Sequence, residues 1–334
     1  MTILLAVLLV VGTATASPLA VCATIPDLGD LVREVGGEQV TVTTLSRGDE
    51  NPHDVRATPS AMQALGQAGL LVVNGLALEA RWLPVMLQSV HNPRIQPGTP
   101  GYLDASTVIK PIGVPAKPAT DLQRDTHGLG NPHYLLDPIR GLRVAAAIRD
   151  ALIKLRPDAA SEITAHHDAF RDRLGAKLVG QRLASTYDVE KLIALVVRRR
   201  LSAFLERGGQ SDLLRGWVGL LAGNRGVAVV ADHDTWPYFA QRFGIEIAGI
   251  LEPRPSAPPT GKHLASIVQV MRRRNVRVIL TITPSDQQDA RMLAEATGAT
   301  LVPMAHLVGA RPEAGDYLAM LDLNVTALAA ALAP

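Results

Sequence analysis

Gly130-Asn131-Pro132-His133-Tyr134-Leu135-Leu136-Asp137-Pro138 holds a histidine between a loop and the start of a helix. Pro132 fixes the backbone just before His133. Asp137-Pro138 reads as an N-cap followed by a first helical position. The same phrase occurs earlier, as Asn51-Pro52-His53-Asp54, eighty residues upstream. Imidazole is the commonest metal ligand. The fold therefore has to be read for whether it brings these two loops together.

Working outward, strands and helices alternate on both sides of this stretch. Before it, Val21 to Ile25, Val40 to Leu45, Leu70 to Asn74 and Thr107 to Ile112 read as strands, with Thr58-Pro59 opening a helix between the second and third. After it, Leu142, Ala145, Ile148, Leu152 and Leu155 recur at helical spacing. Pro157-Asp158 breaks that helix and starts a long one, expected to reach about Ala184 across Gly175 and Gly180. Further helix follows from Val189 to Leu221. The strand rhythm then restarts at Val227 to Val230, Glu246 to Leu251, Val276 to Thr283 and Leu301 to Met304, and Tyr317 to Leu332 closes the chain. Such alternation predicts parallel sheets. The expected fold is α/β: two lobes, each with a roughly four-stranded parallel sheet flanked by helices, joined by one long connecting helix, with a metal site in the cleft. The expected division is a signal peptide over 1–16, an N-terminal lobe over 17–156, the connecting helix over 157–184 and a C-terminal lobe over 185–334.

In open α/β sheets, ligands bind outside the carboxyl ends of the strands. His53 follows the second strand, His133 the fourth, His233 the fifth and Asp286 the seventh, two per lobe. Three imidazoles and one carboxylate suit a tetrahedral Zn²⁺. Mn²⁺ prefers more oxygen. The fourth position stays open between Asp286, Asp289 and Glu252, and Glu252 suits better an acceptor behind a ligating imidazole. Asp234 is expected to N-cap the following helix, and Asp232 to face away from His233. His127 could hand metal to the site. His306, after the last strand, is a further cleft candidate, and the remaining histidines read as surface or helix residues.

Composition narrows the function. The chain has 334 residues, 47% hydrophobic and 19% charged, enough for two lobes with ample core. Net charge is +2 and aromatics are only 4%, with no basic run interleaved with aromatics, which argues against a nucleic-acid partner. Ile3 to Val11 is an apolar run too short to span a bilayer. Ala14-Thr15-Ala16 follows it, the pattern of a secretory signal peptide, although Met1-Thr2 lacks the usual positive charge. Cys22 is the only cysteine, so no internal disulfide forms. Val21 is too large for a lipidation box, and Cys22 reads as a buried residue of the first strand.

The chain resembles the TroA-like periplasmic metal-binding proteins, the zinc and manganese receptors of ABC importers. The resemblance rests on Ala23-Thr24-Ile25-Pro26-Asp27-Leu28, Asn51-Pro52-His53, Leu71-Val72-Val73-Asn74-Gly75-Leu76, Gly130-Asn131-Pro132-His133, Leu136-Asp137-Pro138, His233 with Tyr238-Phe239 and Phe243-Gly244, Glu252-Pro253-Arg254-Pro255 and Thr297-Gly298-Ala299. It implies two lobes on a rigid helix, with ligands at His53, His133, His233 and Asp286. A histidine at the third position is similar to the zinc branch, where manganese members tend to carry glutamate. Two features depart from the family. The loop from Ala116 to Leu129 holds only His127 where zinc members carry many histidines, and the segment around Asp286 diverges. The implied function is capture of a divalent metal, zinc first, for delivery to an ABC permease, by a monomer in the periplasm with no catalysis. The competing readings are a zinc-buffering chaperone or adhesin without a permease, and a secreted zinc hydrolase with Glu252 as base. No His-Glu-x-x-His helix or nucleophile elbow supports the hydrolase.

Overall fold

The central strands form because their residues are apolar on both faces, as parallel sheets covered on both sides require. In the computed structural model, which describes residues 17–115, 128–252, 259–283 and 287–333, eight strands form two parallel sheets. They are β1 (Leu19–Ala23), β2 (Val40–Thr44), β3 (Leu70–Val73), β4 (Tyr102–Asp104), β5 (Ala228–His233), β6 (Glu246–Glu252), β7 (Val278–Thr283) and β8 (Thr300–Ala305). The sheet orders are β2-β1-β3-β4 and β6-β5-β7-β8, so the two lobes repeat one topology. The proposed signal peptide lies outside the described residues.

Alternation along each strand sorts the core. Val21, Ala23, Leu70 and Val72 face inward, and so do Val229, Ala231, Val278 and Leu280; all eight join one continuous core. That core runs through Phe170 and Leu174 of the Ala160–Val179 helix and through Tyr317. Cys22, Leu71 and Val73 face a separate outer layer of the first lobe, and Val230 and Ile279 one of the second. The two lobes thus share their central core, and separating them widely would expose it to water. Cys22 is buried in β1, and burial pushes its thiol up to about 12.

Two local expectations needed correction. The fourth strand is Tyr102–Asp104, and Thr107 to Ile112 is not a strand. Asp104 accepts from the Ser106 N–H (2.9 Å) and hydroxyl (2.7 Å), and so winds Ala105–Val108 into a 3-10 turn. The long helix ends at Val179 rather than near Ala184. Gly180 takes φ +100°, and a Cβ there would meet Arg215 at 2.7 Å. Gly175 is tolerated inside that helix, where Val189 packs against it. The caps held as read: Thr58 accepts from Ala61, and Asp137 from Ile139, opening the Pro138–Leu155 helix.

Polar contacts also tie the lobes. Asp137, fully buried, takes a two-point contact from Arg242, 2.7 Å from Nε and 2.8 Å from Nη2, and a further one from Arg140. Arg140 stacks over Tyr238 at 4.5 Å and donates to Gln241. Tyr317 donates its hydroxyl to the Leu135 carbonyl, and its N–H to Asp30.

Candidate metal centre

Each Asn-Pro-His loop is locked by its own asparagine. Asn51 Oδ1 accepts the His53 N–H at 3.0 Å, and Asn131 Oδ1 accepts the His133 N–H at 2.9 Å. A proline between them restricts the loop further. Trp82 donates its indole N–H to the Pro52 carbonyl. Asn74 donates to the Pro132 carbonyl, and the Tyr134 hydroxyl donates to the Asn74 carbonyl. Asn74 is fixed in turn by buried Glu79, which accepts from the N–H groups of Asn74 and Gly75 and from the Thr24 hydroxyl. Burial raises the Glu79 carboxyl to about 7. These supports bring the two histidines together: the His53 and His133 rings lie edge to face, with centroids 5.8 Å apart.

The second lobe offers its residues at the carboxyl edge of its sheet. His233 is the last residue of β5 and pairs in register with Glu252, the last of β6. Its Nε2 lies 3.2 Å from Glu252 Oε2. Burial pulls this imidazole down, but hydrogen bonding and charge from Asp232, then Glu252, outweigh it and raise it. Asp232 does not face away as expected. It is buried, accepts from the N–H groups of His233 (2.7 Å) and Ile282 (2.6 Å), and stands 3.4 Å from His233 Nδ1. The sheet needs those amides held where β5 and β7 end, and Asp232 supplies the acceptor.

His306 directly follows β8 at the same edge and is 8% exposed. Burial pushes it down to about 4, against the backbone of Thr283 and Glu50, and the charges of Asp232 and His233 reach it. Glu50 lies three residues before His53, so His306 sits where the first loop meets the second sheet. Gly48 lets that loop approach: a Cβ there would stand 2.2 Å from the Val308 carbonyl oxygen. Nδ1 of His306 and the hydroxyls of Thr281 and Thr283 are buried without a hydrogen-bond partner among the described residues. Buried polar groups are otherwise satisfied in more than about 90% of cases. Three orphans near one sheet edge mark a place built for a polar guest.

The halves are stitched together across the cleft. Asn131 Nδ2 donates to the carbonyl of Asp234 (2.6 Å) and to its carboxylate (3.2 Å). The Tyr238 hydroxyl donates to the Asn131 carbonyl (2.7 Å) and accepts from the Ile112 N–H. Asp234 therefore does not cap the Pro237–Phe243 helix, whose N-cap is Trp236. The asparagine two residues before His133 claims it instead. Among the described residues, no three His, Cys, Asp or Glu side chains stand close enough to hold a metal ion. What the structure presents is a pair, His53 with His133, and a second group, His233 with Glu252, Asp232 and His306. Asp286 and His127 lie outside the described residues. Asp289 is half-buried on the first turn of the Gln288–Thr297 helix.

Residues 21–185 and 217–331 match the ZnuA family, described as zinc-uptake complex component A, periplasmic. The chain is 20% identical to the manganese-binding lipoprotein MntA of Halalkalibacterium halodurans, over 89% of this chain and 83% of that one. It is 22% identical to the zinc-binding protein TroA of Treponema pallidum, over 96% and 91%. A crystal structure of ZnuA superposes with a TM-score of 0.68 at 19% identity, over 95% of this chain and all (100%) of that one. The chain belongs to the ZnuA family, whose members are the periplasmic metal-binding components of ABC metal uptake, working with a permease and not as enzymes.

Proposed function

We propose that the chain captures Zn²⁺ between its lobes, as a monomer in the periplasm, and releases it to its ABC permease. The observation that carries this reading is the His53–His133 pair. On one tetrahedral zinc with Zn–N of about 2.0–2.1 Å, two imidazole centroids would lie about 5 Å apart; here they lie 5.8 Å apart. His233 supplies the third nitrogen. Glu252 lies on its Nε2, where a carboxylate behind a ligating histidine commonly lies. A nitrogen-rich set favours zinc over manganese, which binds oxygen.

For the fourth ligand, sequence position favours Asp286, and the structure's geometry favours His306. His306 is buried, has an orphaned nitrogen, and lies under the influence of both Asp232 and His233. A low-lying imidazole is neutral at pH 7, the form that binds metal. His306→Ala is therefore expected to weaken zinc binding by about 100-fold, and Asp286→Ala by less than about tenfold, measured by competition with a chelating dye. The reverse order would return the fourth position to Asp286. Because the lobes share one core, capture and release fall to local loop and side-chain movements rather than to a wide parting of the lobes.

A further inference from the structure

A cleft of about 160 Å³ opens where the Val189–Val197, Leu201–Arg207, Gly216–Leu221 and Pro237–Phe243 helices meet. Its walls are apolar: Val196, Leu201, Leu221 and Phe243 are all buried. Its polar lining is one-sided. Arg199, Arg225 and Arg242 line it, and no Asp or Glu does. The guanidiniums of Arg199 and Arg225 make no hydrogen bond or ion pair with any described residue. Arg242 spends Nε and Nη2 on Asp137 and leaves Nη1 unused. Arg199 also holds a left-handed backbone, φ 55°, unusual outside glycine, pinned by bonds from its own N–H to Val196 and from Arg200 to Leu195.

We infer that this cleft is a binding site for a small organic carboxylate with an apolar body the size of one ring or a branched chain. Arg199 and Arg225 are exposed at the rim of the cleft, and Arg242 keeps Nη1 beyond its pair with Asp137, so one anion seated there meets donors from all three. Guanidinium groups match a carboxylate in two-point geometry. Inorganic phosphate would satisfy the charges but leave the four apolar walls unused, while a lipid chain exceeds the volume. A carboxylate meeting Arg242 through Nη1 leaves its pair with Asp137 intact, so binding does not compete with the contact joining the lobes.

The test is a ¹⁹F NMR titration of the full-length protein with 4-fluorobenzoate, run without metal so that it does not depend on the zinc reading. Saturable binding in the millimolar range or tighter is expected. Arg225→Gln and Arg199→Gln should each weaken it about tenfold, and neutral 4-fluorobenzamide should bind about tenfold more weakly than the acid. Both variants should melt with the wild type, since neither side chain bonds to any described residue. No saturable binding, equal binding of acid and amide, or unchanged binding in both variants would overturn the site. Displacement by inorganic phosphate as effective as by unlabelled benzoate would overturn the carboxylate assignment.

Discussion

His133→Ala is expected to weaken zinc binding by at least about 100-fold, the largest single loss in the chain. Changing residues behind a metal ligand costs about 10–100-fold, and removing the ligand itself costs more. The size of the effect follows from how His133 is held. Its N–H is fixed by Asn131, the preceding Pro132 carbonyl is held by Asn74, and its ring stands beside His53. No neighbour can swing in to replace a nitrogen supplied by so rigid a loop. His53→Ala should fall in the same range. Asn131→Ala should do less harm, about tenfold, because it loosens the loop and frees Asp234 without deleting a ligand. Competition against a calibrated zinc dye reads all three. An affinity unchanged in His133→Ala would remove this residue from the site.

Asp137→Ala is expected to destabilise the protein by about 3–5 kcal/mol, the largest stability loss outside the apolar core. Deleting one member of a buried ion pair costs more than the pair gains, because the partner is left charged and desolvated. Here two partners are stranded, Arg140 and Arg242, each only 12% exposed. The Pro138–Leu155 helix also loses its cap, worth about 0.5–2 kcal/mol. Arg242→Ala should cost less, since Arg140 still faces Asp137. Guanidinium denaturation followed on tryptophan fluorescence measures this, with Trp82 in the first lobe and Trp217 and Trp236 in the second. One transition is expected, because the lobes share a core. A loss under about 1 kcal/mol would show that this contact does not hold the lobes.

The fold was legible because its signal is local. Strands such as Leu70–Val73 and Val278–Thr283 are apolar on both faces, and the breaks between them fall at Gly, Pro and Asp. The fourth strand was misread because Tyr102–Asp104 is three residues long, while the β-branched run after it is captured by the Asp104 turn. The helix break falls at Gly180, a local signal that was passed over as a tolerated interior glycine, and Arg215 packs where a side chain there would stand.

In the site, the repeated Asn-Pro-His phrase pointed to its own geometry, and His53 does meet His133. The bond from Asn131 to Asp234 spans 103 positions and is invisible to periodicity. As a result Asp234 looked like a helix cap. Simple alternation puts Asp232 on the opposite face, but its short carboxylate folds back onto the His233 N–H. His306 could have been given more weight from sequence. It follows β8 directly, the same carboxyl-edge position that singled out the other histidines.

The most direct test of the account is a zinc titration of chelator-stripped protein, competed against a calibrated dye, with manganese alongside. One tight zinc site per chain, with manganese much weaker, is the predicted result. Absent or weak zinc binding, or manganese binding as tightly as zinc, would contradict a histidine-built site closed between the two lobes.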